Sequence, residues 1–243
     1  MTIDCSGNEG YFPPMKKLII IPAYNESESI EYTIQSIAKN APGFDYIIIN
    51  DCSTDHTEQI CRDKNFEYLT LPVNLGIGGA VQTGYRYACE MGYDIIVQVD
   101  GDGQHDVRYL ARMEEVLQHE NADMVIGSRF IEREGFQSSA VRRIGIGFFT
   151  GLIKVLTGRT ITDPTSGFRM VNRKTAEIFA EDYPRDYPEP ESTVFLLCRK
   201  KKVVEVPVIM HERTGGTSSI RFKKSVYYMV KVSLAILIER FRI

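Results

Sequence analysis

The chain has 243 residues, 43% of them hydrophobic, which is enough to bury the core of one domain and carry an appendage. A net charge of -3 and a pI near 5.9 lack the basic stripe of a general nucleic-acid binder, so no nucleic-acid partner is expected. Its five cysteines are odd in number and form no Cys-x-x-Cys pair, which points to free thiols in a reducing, cytosolic setting.

Residues 1–15 read as a flexible leader without the basic start and apolar run of a signal peptide. Residues 18–21 (Leu-Ile-Ile-Ile) form a continuous apolar run of the kind found in a central parallel strand. Pro22 ends it, and residues 25–29 open a helix with Ile30, Ile34, Ile37 and Ala38 on its apolar face. A second strand over 46–49 ends in Asn50-Asp51-Cys52-Ser53-Thr54-Asp55. Then come a strand over 67–71 with a helix over 78–90, a strand over 93–99 with a helix over 107–119, and a strand over 124–126. This alternation predicts an α/β domain: a mostly parallel, doubly wound, Rossmann-like sheet with helices on both faces. Function then belongs at the carboxyl ends of the strands. Asn25-Glu26, Asp51, Asp100 and Asp102 all fall at such ends.

Beyond residue 127 the pattern loosens. Residues 140–156 read as a glycine-interrupted helix, 163–169 as a turn feeding an apolar strand, and the proline-rich 182–190 as a loop. A late strand is expected over 203–208 and a polar loop over 211–219. Residues 226–238 are almost wholly apolar, with Arg221, Lys223 and Lys224 before them and Arg240 and Arg242 after. A helix of about 13 residues reaches roughly 20 Å, short of a bilayer core of about 30 Å. It suits the headgroup layer of an anionic membrane, with packing on the domain or an oligomer contact as alternatives.

The densest chemistry lies in Asp100-Gly101-Asp102-Gly103-Gln104-His105. Oxygen donors at Asp100, Asp102 and Gln104 can hold one hard divalent cation, Mg²⁺ or Mn²⁺, that also takes substrate phosphates. The plainer reading is an Asp/Gly turn. Asp51 either caps the helix that includes Asp55 and Thr57 or contacts a ligand. The glycines of 75–80 free the N–H groups of a helix start for an anion, without the Lys-Ser/Thr of a P-loop.

Five stretches stand in series: Ile21-Pro22-Ala23-Tyr24-Asn25-Glu26, Asn50 to Asp55, Asn74-Leu75-Gly76-Ile77-Gly78-Gly79-Ala80, Asp100 to His105, and Gly127-Ser128-Arg129. The series resembles family 2 glycosyltransferases of the GT-A fold, in the branch of dolichol-phosphate mannosyltransferases and bacterial polyprenyl-phosphate glycosyltransferases. The resemblance covers about residues 16–220 and leaves 221–243 as an amphipathic extension. It implies that Pro22, Tyr24, Glu26, Asp51 and Gly76, with Asp100 and Asp102, contact the nucleotide sugar. It also implies that Asp100, Asp102 and Gln104 hold Mg²⁺ or Mn²⁺ against the diphosphate, with turnover depending on Asp102. Of Arg129, Arg142, Arg143, Arg169 and Arg213, similarity favours Arg129, Arg143 and Arg213 for the phosphates of donor and acceptor.

The implied activity is metal-dependent, inverting transfer of glucose, N-acetylglucosamine or mannose from a UDP- or GDP-sugar to undecaprenyl or dolichyl phosphate, at the cytosolic membrane face. A phosphate acceptor needs no strong base. A sugar-hydroxyl acceptor needs a carboxylate within reach, for which Asp163 is the candidate. The alternatives are transfer to a hydroxyl of a growing polysaccharide and a catalytically silent nucleotide-sugar-binding scaffold. Departures from the mannosyltransferase pattern at Gly147 and over 215–219 leave base and sugar open. A small membrane-anchoring protein or a second copy of the chain are the further partners expected.

Overall fold

The computed structural model describes residues 15–136, 140–212 and 222–241. Arg213, the leader up to residue 14 and the 215–219 stretch lie outside the described residues.

The aliphatic runs become strands β1 (Lys17–Ala23), β2 (Asp45–Asn50), β3 (Tyr68–Thr70), β4 (Ile95–Gln98) and β5 (Met124–Ser128). Between them lie α1 (Ile30–Asn40), α2 (Thr57–Asp63), α3 (Gly76–Glu90) and α4 (Leu110–His119). The second half adds α5 (Ala140–Thr157), β6 (Arg169–Asn172), α6 (Arg173–Glu181), α7 (Pro188–Cys198), β7 (Val203–Pro207) and α8 (Phe222–Phe241). The seven strands pair in the order β3-β2-β1-β4-β6-β5-β7. All pairs are parallel except those of β6, which runs antiparallel to both β4 and β5. The expected mostly parallel α/β sheet is the one found.

Strand alternation sends side chains to two cores. Leu18, Ile20, Ile96 and Val171 join α3, α5, α6 and α7 on one face, while Ile19, Ile21, Val97 and Met170 join α1 and α4 on the other. Each fully buried isoleucine or leucine contributes about 1.5–3 kcal/mol relative to exposure.

Two expectations change. Residues 182–190 are not loop throughout, because α7 begins at Pro188. Proline fits the first turn of a helix, where its missing N–H has no intrahelical acceptor to lose. The C-terminal helix spans 20 residues rather than 226–238, because its basic flanks are good helix formers as well. Its length is about 30 Å. Val232 and Ile236 are buried in the core shared with α5 and α7, and Lys231 pairs with Asp186 at 2.6 Å. Val230, Leu234 and Ile238 stay exposed, as do Ile144, Phe148 and Val155 on neighbouring α5. Among the described residues, no helix is long and apolar enough to cross a membrane.

Candidate active site

Because β1, β2 and β4 run parallel and adjacent, their carboxyl ends share one edge. The N–H of Asp51 donates to the Ala23 carbonyl (2.9 Å) and that of Val99 to Ile20 (3.0 Å). Pro22, Tyr24, Glu26, Asp51, Asp100 and Asp102 are therefore delivered to one rim by topology alone.

At the end of β4, Gln98 and Asp100 share a face, and Gln98 Nε2 donates to Asp100 Oδ1 at 2.9 Å. The Asp100 N–H donates to His105 Nδ1 at 3.1 Å, which leaves the imidazole proton on Nε2, 3.7 Å from Asp100 Oδ2. His105 is buried and stacks on Phe168, centroids 4.9 Å apart. Asp102 Oδ1 accepts the Gln104 N–H at 3.0 Å, closing a turn whose Gly103 has φ +75. Gln104 is tied to His211 twice, by its Nε2 to the His211 carbonyl (3.3 Å) and by its own carbonyl to the His211 N–H (2.9 Å).

Among the described residues, no three His, Cys, Asp or Glu side chains gather as a metal-holding group. The donors available are two carboxylates and an amide. That set fits Mg²⁺ or Mn²⁺, which takes one or two protein carboxylates and fills its octahedron with phosphate oxygens and water.

On the nucleotide side, Asp51 does not cap the helix that includes Asp55 and Thr57. Asp55, not Asp51, serves the start of α2, accepting from the Thr57 N–H at 2.9 Å. The Asp51 carboxylate reaches across to α3 instead, taking the Leu75 N–H (2.7 Å) and the Gly76 N–H (2.9 Å). The reason is tertiary: the turn after β3 folds back beside the end of β2. Tyr24 is 48% exposed at the rim. Glu26 Oε2 accepts from Ser29 Oγ at 2.8 Å, and its N–H donates to Thr57 Oγ1. Asn25, at φ +58, ties the first loop to the second through the N–H groups of Thr54 and Asp55.

The turn 163–169 forms the floor. Asp163 is fully buried and grips Arg129, Nε to Oδ2 at 2.7 Å and Nη2 to Oδ1 at 2.8 Å. Beneath it Glu205 accepts from the Thr162 N–H, Thr162 Oγ1 and the Asp163 N–H. Burial pushes the Glu205 carboxyl above its ordinary range despite those hydrogen bonds. Arg169, 1% exposed, donates to the Ser166 and Pro164 carbonyls and to Ser192 Oγ, stapling the turn to α7. Arg142 and Arg143 are exposed on α5. Arg143 borders an open cavity of about 520 Å³ with Phe136, Ile209, Met210 and His211.

Glu189 was not singled out by its sequence. It stands in the first turn of α7, where burial raises its carboxyl, Arg169 and Arg142 draw it down, and Asp100 pushes it up. A signal for the helix start was present, proline followed by acidic residues.

Residues 18–179 match the model of glycosyl transferase family 2, and the chain belongs to that family. It is a glycosyltransferase. It is 31% identical over 215 residues to the undecaprenyl-phosphate mannosyltransferase of Micrococcus luteus, spanning 85% of this chain and 88% of that one. It is 29% identical over 213 residues to the UDP-N-acetylglucosamine–dolichyl-phosphate N-acetylglucosaminyltransferase of Methanococcus voltae, spanning 78% and 83%. Glucosyl-3-phosphoglycerate synthase from Mycobacterium tuberculosis, in complex with Mn²⁺, uridine-diphosphate and phosphoglyceric acid, superposes with a TM-score of 0.69 over 93% of this chain and 78% of that one. At 19% identity that likeness is one of fold.

Proposed function

We propose that this glycosyltransferase moves a hexose from a nucleotide sugar to a polyprenyl phosphate, with inversion, at a membrane surface. The observation that carries the reading is the carboxyl edge of β1, β2 and β4, where Asp100, Asp102 and Gln104 share one turn beside the rim formed by Tyr24, Glu26 and Asp51. The relatives named for undecaprenyl and dolichyl phosphate support the acceptor.

Tyr24, Glu26 and the loop held by Asp51 bind the base and ribose. Asp100, Asp102 and Gln104 hold Mg²⁺ or Mn²⁺. When bound, the cation acts as a Lewis acid for the charge that develops on the departing diphosphate. Arg129, fixed by Asp163, and Arg143, at the mouth of the neighbouring cavity, add preorganised positive charge for the phosphates. The acceptor phosphate is ionised near neutral pH, so its oxygen attacks the anomeric carbon without a protein base. Asp163 accordingly positions Arg129 and takes no proton.

The exposed apolar stripes of α5 and α8 support a peripheral membrane location. They place Ile144, Phe148, Val155, Val230, Leu234 and Ile238 where lipid can cover them.

The test is to incubate the protein with Mn²⁺ and radiolabelled UDP- and GDP-sugars, with and without polyprenyl phosphate. Label is expected in the organic phase only when the lipid is present. Label appearing only on water-soluble saccharides supports the hydroxyl-acceptor alternative, and binding without turnover supports a scaffold.

A further inference from the structure

Gln98 is fully buried in the middle of the sheet, paired with Ile20 of β1 on one side and Arg169 of β6 on the other. The other residues of β4 are aliphatic. Its Nε2 donates to Asp100 Oδ1, while its Oε1 is buried with no hydrogen-bond partner. An amide left half unmet in a core costs stability that an apolar side chain of the same shape does not.

Two further features close on the same carboxylate. A Cβ at Gly167 would stand 3.0 Å from Asp100 Oδ2 and 3.0 Å from Gln98 Nε2, so a bare Cα provides the clearance both need. From the other side, His105 presents Nε2 to Asp100 Oδ2 at 3.7 Å. Its ring is held in place by the Asp100 N–H and by Phe168.

We infer that Gln98 is a positioning residue that aims the Asp100 carboxylate at a divalent cation, with Gly167 keeping the clearance. The inference rests on the divalent-cation reading above and adds how one of its ligands is held. An aspartate has two torsions to freeze before it can bind a small, hard cation in near-ideal geometry. Partners behind a ligand supply that freezing, and their loss weakens metal affinity by about 10–100-fold. The unmet oxygen explains why an amide at this position is otherwise a poor choice for a core.

The decisive variant is Gln98→Met, similar in length and without a donor. Mn²⁺ is titrated into the full chain with UDP or GDP present, and free Mn²⁺ is read from its electron paramagnetic resonance signal. The Kd for Mn²⁺ should rise about 10-fold or more, while the thermal midpoint holds or rises because the orphaned oxygen is gone. In turnover assays the apparent KM for Mn²⁺ should rise, with kcat largely kept at saturating Mn²⁺. Gly167→Ala should weaken Mn²⁺ in the same direction. A Gln98→Met protein that binds Mn²⁺ as tightly as the wild type, or that loses stability together with affinity, overturns the inference and leaves the cation reading standing. A wild-type protein that binds no Mn²⁺ with either nucleotide overturns both.

Discussion

The guanidinium of Arg129 and the carboxylate of Asp163 meet in a two-point ion pair, with side chains 9% and 0% exposed. The Arg129 N–H also donates to Asp163 Oδ2 at 3.2 Å, so the pair fixes the backbone after β5 as well as the side chain. Removing one partner of such a pair leaves the other charged, buried and uncompensated. Asp163→Ala should therefore lower stability by about 3–5 kcal/mol, read by urea unfolding. A loss below about 1 kcal/mol would show that the pair is no keystone of this turn.

Asp102 differs from Asp163 in what depends on it. Its carboxylate accepts the Gln104 N–H at 3.0 Å within one turn, a bond worth about 1 kcal/mol. Asp102→Ala should reduce transfer by at least about 100-fold. Unchanged turnover would remove Asp102 from the cation site.

Two faces of α8 make separate predictions. Ile236 is fully buried against the domain, so Ile236→Ala should cost about 2–5 kcal/mol. Val230, Leu234 and Ile238 are exposed. Replacing all three with serine should change stability by only about 0.5 kcal/mol per site and reduce sedimentation with anionic vesicles. Undiminished sedimentation would rule out this stripe as the lipid-facing surface.

Glu205 gives a pH signature. Burial raises its carboxyl in the folded protein, so the native state holds that proton more tightly than the unfolded chain. Its contribution to stability is full below the ordinary glutamate range and is lost as pH rises through the raised value. Urea unfolding of wild type and Glu205→Gln across about pH 4 to 7 should show a decline in the wild type that the variant lacks. Parallel profiles would assign the decline to another group.

Strands β1, β2, β4 and β5 are legible in the sequence as continuous aliphatic runs, because only a sheet covered on both faces hides such runs. The motif order placed Asp51, Asp100, Asp102 and Gln104 at strand ends for the same reason. Asp163 was legible as a turn residue of interest, yet its burial and its partner were not. Arg129 lies 34 positions away, and no periodicity links the two.

The amino-acid sequence by itself determined the parallel α/β plan, the family and the edge at which the chemistry stands, since local hydrophobicity and strand-end residues carry that information. Tertiary structure alone decided that Asp51 caps α3 and that Asp163 clamps Arg129. It also set the turn 163–169 beneath Asp100, because β6 enters the sheet antiparallel between β4 and β5. Contacts between segments remote in the chain arise only when the sheet order is set, and that order is a property of the packed whole.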